Sequence, residues 1–135
     1  MPLKLTLRAG EIAVVNGCVI RNADRRQSFW IDTRADILRG SDLLDPADAD
    51  TPVKRAYCLA QDALLRPDGR DETVPALQSA LAALAASFAS DQAIHLFRAA
   101  THVSRSDYYQ ALSALRPLLA REAEHLAPRM ARAEA

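Results

Sequence analysis

Five cations and one amide are the residues whose types and spacing suggest chemistry. Lys4, Arg8, Arg21, Arg25 and Arg26 lie near the start of the chain, with Asn22 among them and Phe29-Trp30 just beyond. Guanidinium forks hold phosphate bidentately and stack on bases, and aromatic rings add further stacking. The chemistry is therefore non-covalent, with Lys4, Arg8, Arg21, Asn22, Arg25 and Arg26 as candidate phosphate and base contacts. Single-stranded RNA suits this set better than duplex DNA, because no recognition helix accompanies it. The competing reading of the same residues is a solvated hairpin tip, with Phe29 or Trp30 in the core.

Other chemistries find little support. Only four glycines occur, and none stands in a GxGxxG or GxxxxGK[ST] pattern, so a phosphate-cradling loop is not expected. No GxSxG marks a nucleophile elbow. His95 and His102 are seven residues apart and His125 is isolated, whereas a helical metal pair stands four apart. Cys18 and Cys58 lack metal spacing and read as two buried, reduced thiols, Cys18 inert within an apolar strand. The chain is expected to be neither an enzyme nor a metal or cofactor binder.

Seventeen basic and seventeen acidic residues balance over 135 positions, which argues against a general polyanion binder. The distribution is uneven. Residues 1–39 carry seven cations against four acids, while residues 42–72 carry eight acids against four cations. Half the residues are hydrophobic but only 5% are aromatic, so Leu, Ala, Val and Ile must supply the core. No apolar run reaches 18 residues, and the opening MPLKLTLRAGE lacks the apolar stretch of a signal peptide. A cytoplasmic protein is expected.

The elements that must position the cations are strands. Leu3 to Arg8 alternates apolar and polar, the period of a half-buried strand. Glu11 to Val15 and Cys18 to Arg21 flank Asn16-Gly17, a strong type I′ hairpin signal. A meander of these three predicts Leu7 opposite Ile12, Val14 opposite Val19 and Ile12 opposite Arg21. Its core face would hold Leu3, Leu5, Leu7, Ile12, Val14 and Val19, with Arg21 at the rim and Lys4 and Arg8 on the other face. That other face would also hold Ala13, Val15, Cys18 and Ile20. It calls for cover, from the helical body or from another protomer, so a homo-oligomer through the head is a candidate assembly. Arg25 to Asp32 reads as a fourth strand, and residues 35–39 as a short fifth.

From Thr51-Pro52 onward the period changes to that of helices. One helix carries Val53, Ala56, Tyr57, Ala60 and Leu64. A second starts at Val74-Pro75 with Leu77, Leu81, Leu84 and Phe88. A third, capped by Ser90-Asp91, contains the stripe Ile94, Phe97 and Thr101. A fourth, capped by Ser106-Asp107, carries Tyr108, Leu112, Leu115, Leu119 and Leu126, with a kink or break at Pro117 and fraying from Pro128 to Ala135. The fold class is α+β: a small antiparallel β-sheet head over 1–45, a linker at 46–51, and an antiparallel bundle of about four helices over 52–135.

Four segments carry a family resemblance: MPLKLTLRAGE, NGCVIRNADRR, ADTPVKRAYCLAQ and SDYYQALSALRPLLAREAEHL. Together they resemble FlbT, the flagellum biosynthesis repressor family of α-proteobacteria, through nearly the whole chain. The resemblance implies a post-transcriptional regulator that binds the 5′ untranslated region of flagellin messenger RNA and lowers its translation or stability. It names FlaF and flagellin as candidate partners and implies no catalytic residues. The alternative is a protein-binding adaptor or chaperone-like module, acting on flagellin or FlaF and on the message only indirectly.

Overall fold

The structure is a computed structural model; it describes residues 2–134, without the side chains of Ser90 and residues 125–134. The side chains of His125 and Leu126, and Ala135, lie outside the described residues; the fraying expected from Pro128 does not show in the backbone, which is helical to Glu134. The chain divides into two compact units, Met1–Leu43 and Leu44–Ala135. The first is strand and turn with one short 3-10 helix at Gly40–Asp42, the second helical, so the α+β class is as expected.

The head holds five strands: β1 (Leu3–Leu7), β2 (Ile12–Val15), β3 (Cys18–Arg21), β4 (Gln27–Ile31) and β5 (Ile37–Arg39). Asn16 and Gly17 both take positive φ, at 50° and 80°, and the β2–β3 hairpin has the expected register, Val15 opposite Cys18 and Ile12 opposite Arg21. The expected meander does not form. β1 pairs with β4 in a separate two-stranded sheet, Leu3 opposite Ile31 through Leu7 opposite Gln27, while β5 joins β2 to make the order β3-β2-β5. The cause lies in the turn after β1. Gly10 adopts φ 72°, and its amide donates to the carbonyls of Asn22 and Ala23, so the chain is drawn across to the end of β3 instead of folding back beside β2.

Without the meander, the faces change. Leu5, Leu7 and Ala13 form one buried cluster of the head, with Ile20, Ile31 and Ile37 packed against it, while Val14, on the expected core face, and Leu38 opposite it are buried on the other face of β2 and β5. Ala13 and Ile20, expected on the outer face, thus turn inward toward the leucines of β1, while Val19 of the expected core face is 54% exposed. Gly40 follows β5 at a close approach. A Cβ there would lie 3.0 Å from the carbonyl oxygen of Ile12 and 3.1 Å from its Cγ1. That oxygen belongs to β2, so it cannot retreat without disturbing the ladder. Gly40→Ala is expected to destabilise the head by about 1–2 kcal/mol, overpacking outweighing the entropic gain of removing a glycine; a thermal melt at or above the wild-type midpoint would contradict this.

The second unit contains α1 (Pro52–Leu65), α2 (Arg70–Ser87), α3 (Ser90–Ser104) and α4 (Tyr108–Glu134). α1 starts as expected, with the Thr51 hydroxyl accepting from the Lys54 amide at 3.2 Å. Thr51 Oγ1 donates to Glu122 Oε1, and the Val53 amide donates to Glu122 Oε2 at 3.3 Å. An α4 carboxylate thereby sits at the positive end of α1, where the helix dipole favours it. The other end of α1 is met by Arg70, whose Nε donates to the Ala63 carbonyl at 2.6 Å while its guanidinium stacks 4.6 Å from the Tyr108 ring centroid.

Three helical expectations need correction. α2 begins at Arg70, not at Val74-Pro75; Asp71 and Glu72 occupy its favourable first turn, and Pro75 stands exposed where water can satisfy the freed carbonyl. α3 takes Ala89 as N-cap without a side-chain bond, and it buries Ala93, Leu96, Ala99 and Val103 instead of Ile94, Phe97 and Thr101. α4, capped by Asp107 through its carboxylate on the Gln110 amide, runs unbroken through Pro117, again an exposed position. Its buried stripe is Tyr108, Ala111, Leu112, Leu115 and Leu118.

Candidate nucleic-acid interface

Asn22 organises the predicted cations. It is only 6% exposed, and its Nδ2 donates to the carbonyls of Leu7 at 3.1 Å, Arg8 at 2.8 Å and Arg25 at 2.6 Å. Three carbonyl oxygens can be met only by the amide nitrogen, which fixes the orientation of the side chain. The Asn22 main chain is held too, its amide donating to the Glu11 carbonyl at 2.9 Å. Asn22 therefore positions the loop and is not a surface contact, a correction to its expected role. The signal was present as a turn-type residue between two strands, but its side-chain partners are distant in sequence.

The same clamp gathers arginines. Arg8 and Arg25 share one side-chain nitrogen through their carbonyls, and Arg21 precedes Asn22 directly. The expected separation of Arg21 from Arg8 by the faces of one sheet falls away, because β1 is not in that sheet. Arg8, Arg21, Arg25 and Arg26 are all exposed.

Lys4 belongs to the outer face of the β1–β4 ribbon. It lies opposite Trp30, with Nζ 5.9 Å from the ring centroid, and Thr6 lies opposite Ser28, their hydroxyls 2.9 Å apart. The alternation that sets Lys4 and Thr6 on this face continues to Arg8, and that of Trp30 and Ser28 continues to Arg26, one position past the last pair. Lys4 to Arg8 spans about 13 Å of strand. Trp30 is 66% exposed and Phe29 43%, so neither fills the core. Of the two aromatics noted for stacking, Trp30 is the one on the cation face; the clue was the even spacing of Trp30, Ser28 and Arg26. Among the described residues none of these five cations is in an ion pair, whereas Arg39, nearby in the head, is paired with Glu11 at 3.7 Å. The result is an exposed strip of uncompensated positive charge beside an aromatic face, an arrangement suited to single-stranded nucleic acid.

The cysteines depart from expectation. Cys18 is exposed on β3, and Cys58 is half-buried on α1; both are free. Burial pushes the Cys58 thiol up, with Asp45 adding to the effect, which suppresses the nucleophilic thiolate. His95 and His102 are half-buried on α3, and among the described residues no group of three or more His, Cys, Asp or Glu could hold a metal ion. No described helix is long and apolar enough to cross a membrane.

The helical unit has a surface of its own. Ile94 and Phe97 are 47% and 63% exposed, and Phe97 borders an open groove of about 370 Å³ whose walls are Gln78, Leu81, Ala82, Ala85, Leu96 and Ala100. From Val74 to Ser90 the chain has no charged residue, so this groove wall is neutral.

Fold and surface together define a class: a two-unit α+β protein with a basic, aromatic β ribbon and a helical bundle bearing an apolar groove. Comparison with known proteins gives its family. Residues 3–126 match the family described as flagellar protein FlbT. A probable flagellum biosynthesis repressor protein FlbT of Rhodopseudomonas palustris (strain TIE-1) is 38% identical over 133 residues, covering 93% of this chain and 98% of that protein. One from Chelativorans sp. (strain BNC1) is 35% identical over 124 residues, covering 91% and 85%. The flagellum biosynthesis repressor protein FlbT of Caulobacter vibrioides (strain ATCC 19089 / CIP 103742 / CB 15) is 31% identical over 130 residues, covering 93% and 90%. The chain belongs to the FlbT family. No solved structure matches it.

Proposed function

We propose that this chain is a cytoplasmic, non-enzymatic regulator of flagellum biosynthesis that binds the 5′ untranslated region of flagellin messenger RNA and lowers its translation or stability. The names of its relatives support the regulatory part. The observation that carries the RNA part is the strip of Lys4, Arg8 and Arg26 beside exposed Trp30, with Arg21 and Arg25 held close by the Asn22 clamp. Phosphates meet the cations, and unstacked bases meet the indole. The neutral net charge makes this a local surface and not a general attraction.

Replacing Arg21, Arg25 and Arg26 together by Ala tests the assignment. Affinity for a flagellin leader RNA is expected to fall roughly 100-fold at ~0.15 M salt, and the log–log salt slope to lessen by about 2, as three phosphate contacts are lost. Unchanged affinity and slope would overturn the site. A second reading is favoured by exposed Ile94 and Phe97: the helical unit grips flagellin or FlaF through the apolar groove, and the message responds indirectly. On that reading Phe97→Asp abolishes the partner contact while RNA plays no part.

A further inference from the structure

Of the four edge strands in the two sheets of the head, β4 and β3 are the more exposed. β4 has β1 on one side and no strand on the other, and its residues from Gln27 to Trp30 are all exposed. β3 has only β2 beside it, with Cys18, Val19 and Arg21 exposed. Edges of this kind are normally shortened, charged or covered, because their free amides and carbonyls recruit another strand. Here, beside Arg21, Gln27 and Ser28, stand Val19, Phe29 and Trp30, which are among the large hydrophobic residues exposed among the described residues. A two-stranded ribbon is also marginal by itself.

We propose that the head is completed by a second copy of this chain, β4 of each copy pairing antiparallel with β3 of the other to give two five-stranded sheets in the order β1-β4-β3-β2-β5. The pattern of side chains selects the register. Pairing Val19 of one copy with Trp30 of the other sets Ile20 opposite Phe29, Cys18 opposite Ile31 and Arg21 opposite Ser28. Val19 and Trp30 then cover one another on the face away from the leucine cluster, the face that in β2 and β5 carries buried Val14 and Leu38. Ile20 and Phe29 meet on the inner face, where Ile20 already packs against the leucine cluster. A slip of one residue would put Phe29 against Val19 and reverse inner and outer faces, so this register is specified on both sides. The two edges serve one another twice in a closed two-fold pair, which leaves no open β3 or β4 edge to propagate. If the RNA reading also holds, Arg21 of the second copy falls beside Ser28, adding a cation to the strip of Lys4, Arg8 and Arg26.

Two measurements on the full chain, without RNA, test this independently of that reading. The solution mass at tens of micromolar is expected to be twice the 14.7 kDa of the chain; a single-chain mass overturns the proposal. In a Cys18→Ser background, Arg21→Cys and Ser28→Cys are made in separate chains. Mixing the two and oxidising is expected to give a disulfide-linked heterodimer on a non-reducing gel, while either variant alone gives little. A dimeric mass without that cross-link, or equal cross-linking of one variant alone, overturns the β3–β4 interface.

Discussion

Asn22→Ala is expected to unlatch the head while leaving the helical unit folded. The substitution removes the amide nitrogen on which the carbonyls of Leu7, Arg8 and Arg25 converge, leaving the Arg8 carbonyl only the Glu11 amide at 3.1 Å. Each hydrogen bond is worth about 1 kcal/mol net, and a buried carbonyl left unmet costs more, so a loss of about 3 kcal/mol is expected. Asn22→Asp is the sharper variant. It has nearly the same shape, but at neutral pH it turns a carboxylate toward three carbonyl oxygens and should cost more than Ala. Those oxygens would raise the folded-state pKa of the new carboxyl above its unfolded value. The variant should therefore regain stability as pH falls through that raised pKa, when the protonated group can donate again. Hydrogen exchange reads the result by region. Protection is expected to fall over Met1–Leu43 and to persist in the helices; full retention in the head would show that the clamp is dispensable.

The second large effect reverses what residue size suggests. Ala99→Leu is expected to destabilise the helical unit by about 2–3 kcal/mol, whereas Phe97→Ala should change it by under about 1 kcal/mol. Ala99 is fully buried, as are Ala56, Ala60 and Ala63 of α1 and Ala111 of α4, so these helices pack through small side chains. A leucine at position 99 has no space to enter without pushing a neighbouring helix away. Phe97 faces outward, and its loss removes little buried area. Urea unfolding followed by helical circular dichroism compares the two. A larger drop in midpoint for Phe97→Ala than for Ala99→Leu would mean that α3 is rotated from the position described.

That rotation marks the limit of what periodicity conveys. Ile94-Phe97-Thr101 and Ala93-Leu96-Ala99-Val103 are stripes with the same helical spacing on one helix. Choosing by bulk favours the first; the alanine-lined packing of this bundle favours the second. The strands show a similar division. Alternation marked β1, and Asn16-Gly17 fixed the β2–β3 register, because both signals are local. The partner of β1 is 26 residues away where Trp30 stands opposite Lys4, and it depends on the left-handed turn at Gly10 and the amide of Asn22. No local pattern encodes that pairing.

The candidate site was legible in part for the same reason. The cations were visible as residue types near the chain start, and their exposure agrees with a surface role. Their grouping was not visible, since it follows from β1–β4 pairing and from the Asn22 clamp. Trp30, already noted beside the arginines, was set against Lys4 only once its strand had a partner, and Asn22 changed from a candidate contact to the residue that positions the others.

One titration addresses the central claim most directly. Purified chain alone is mixed with the 5′ leader of a flagellin message, and binding is followed from ~0.05 to ~0.3 M salt. The basic strip predicts binding at ~0.15 M salt without any added protein, weakening linearly on a log–log plot with a slope near −0.7 for each phosphate engaged. Binding that is absent until flagellin or FlaF is added, or that ignores salt, would contradict an RNA-reading head and assign the function to the apolar groove of the helical unit.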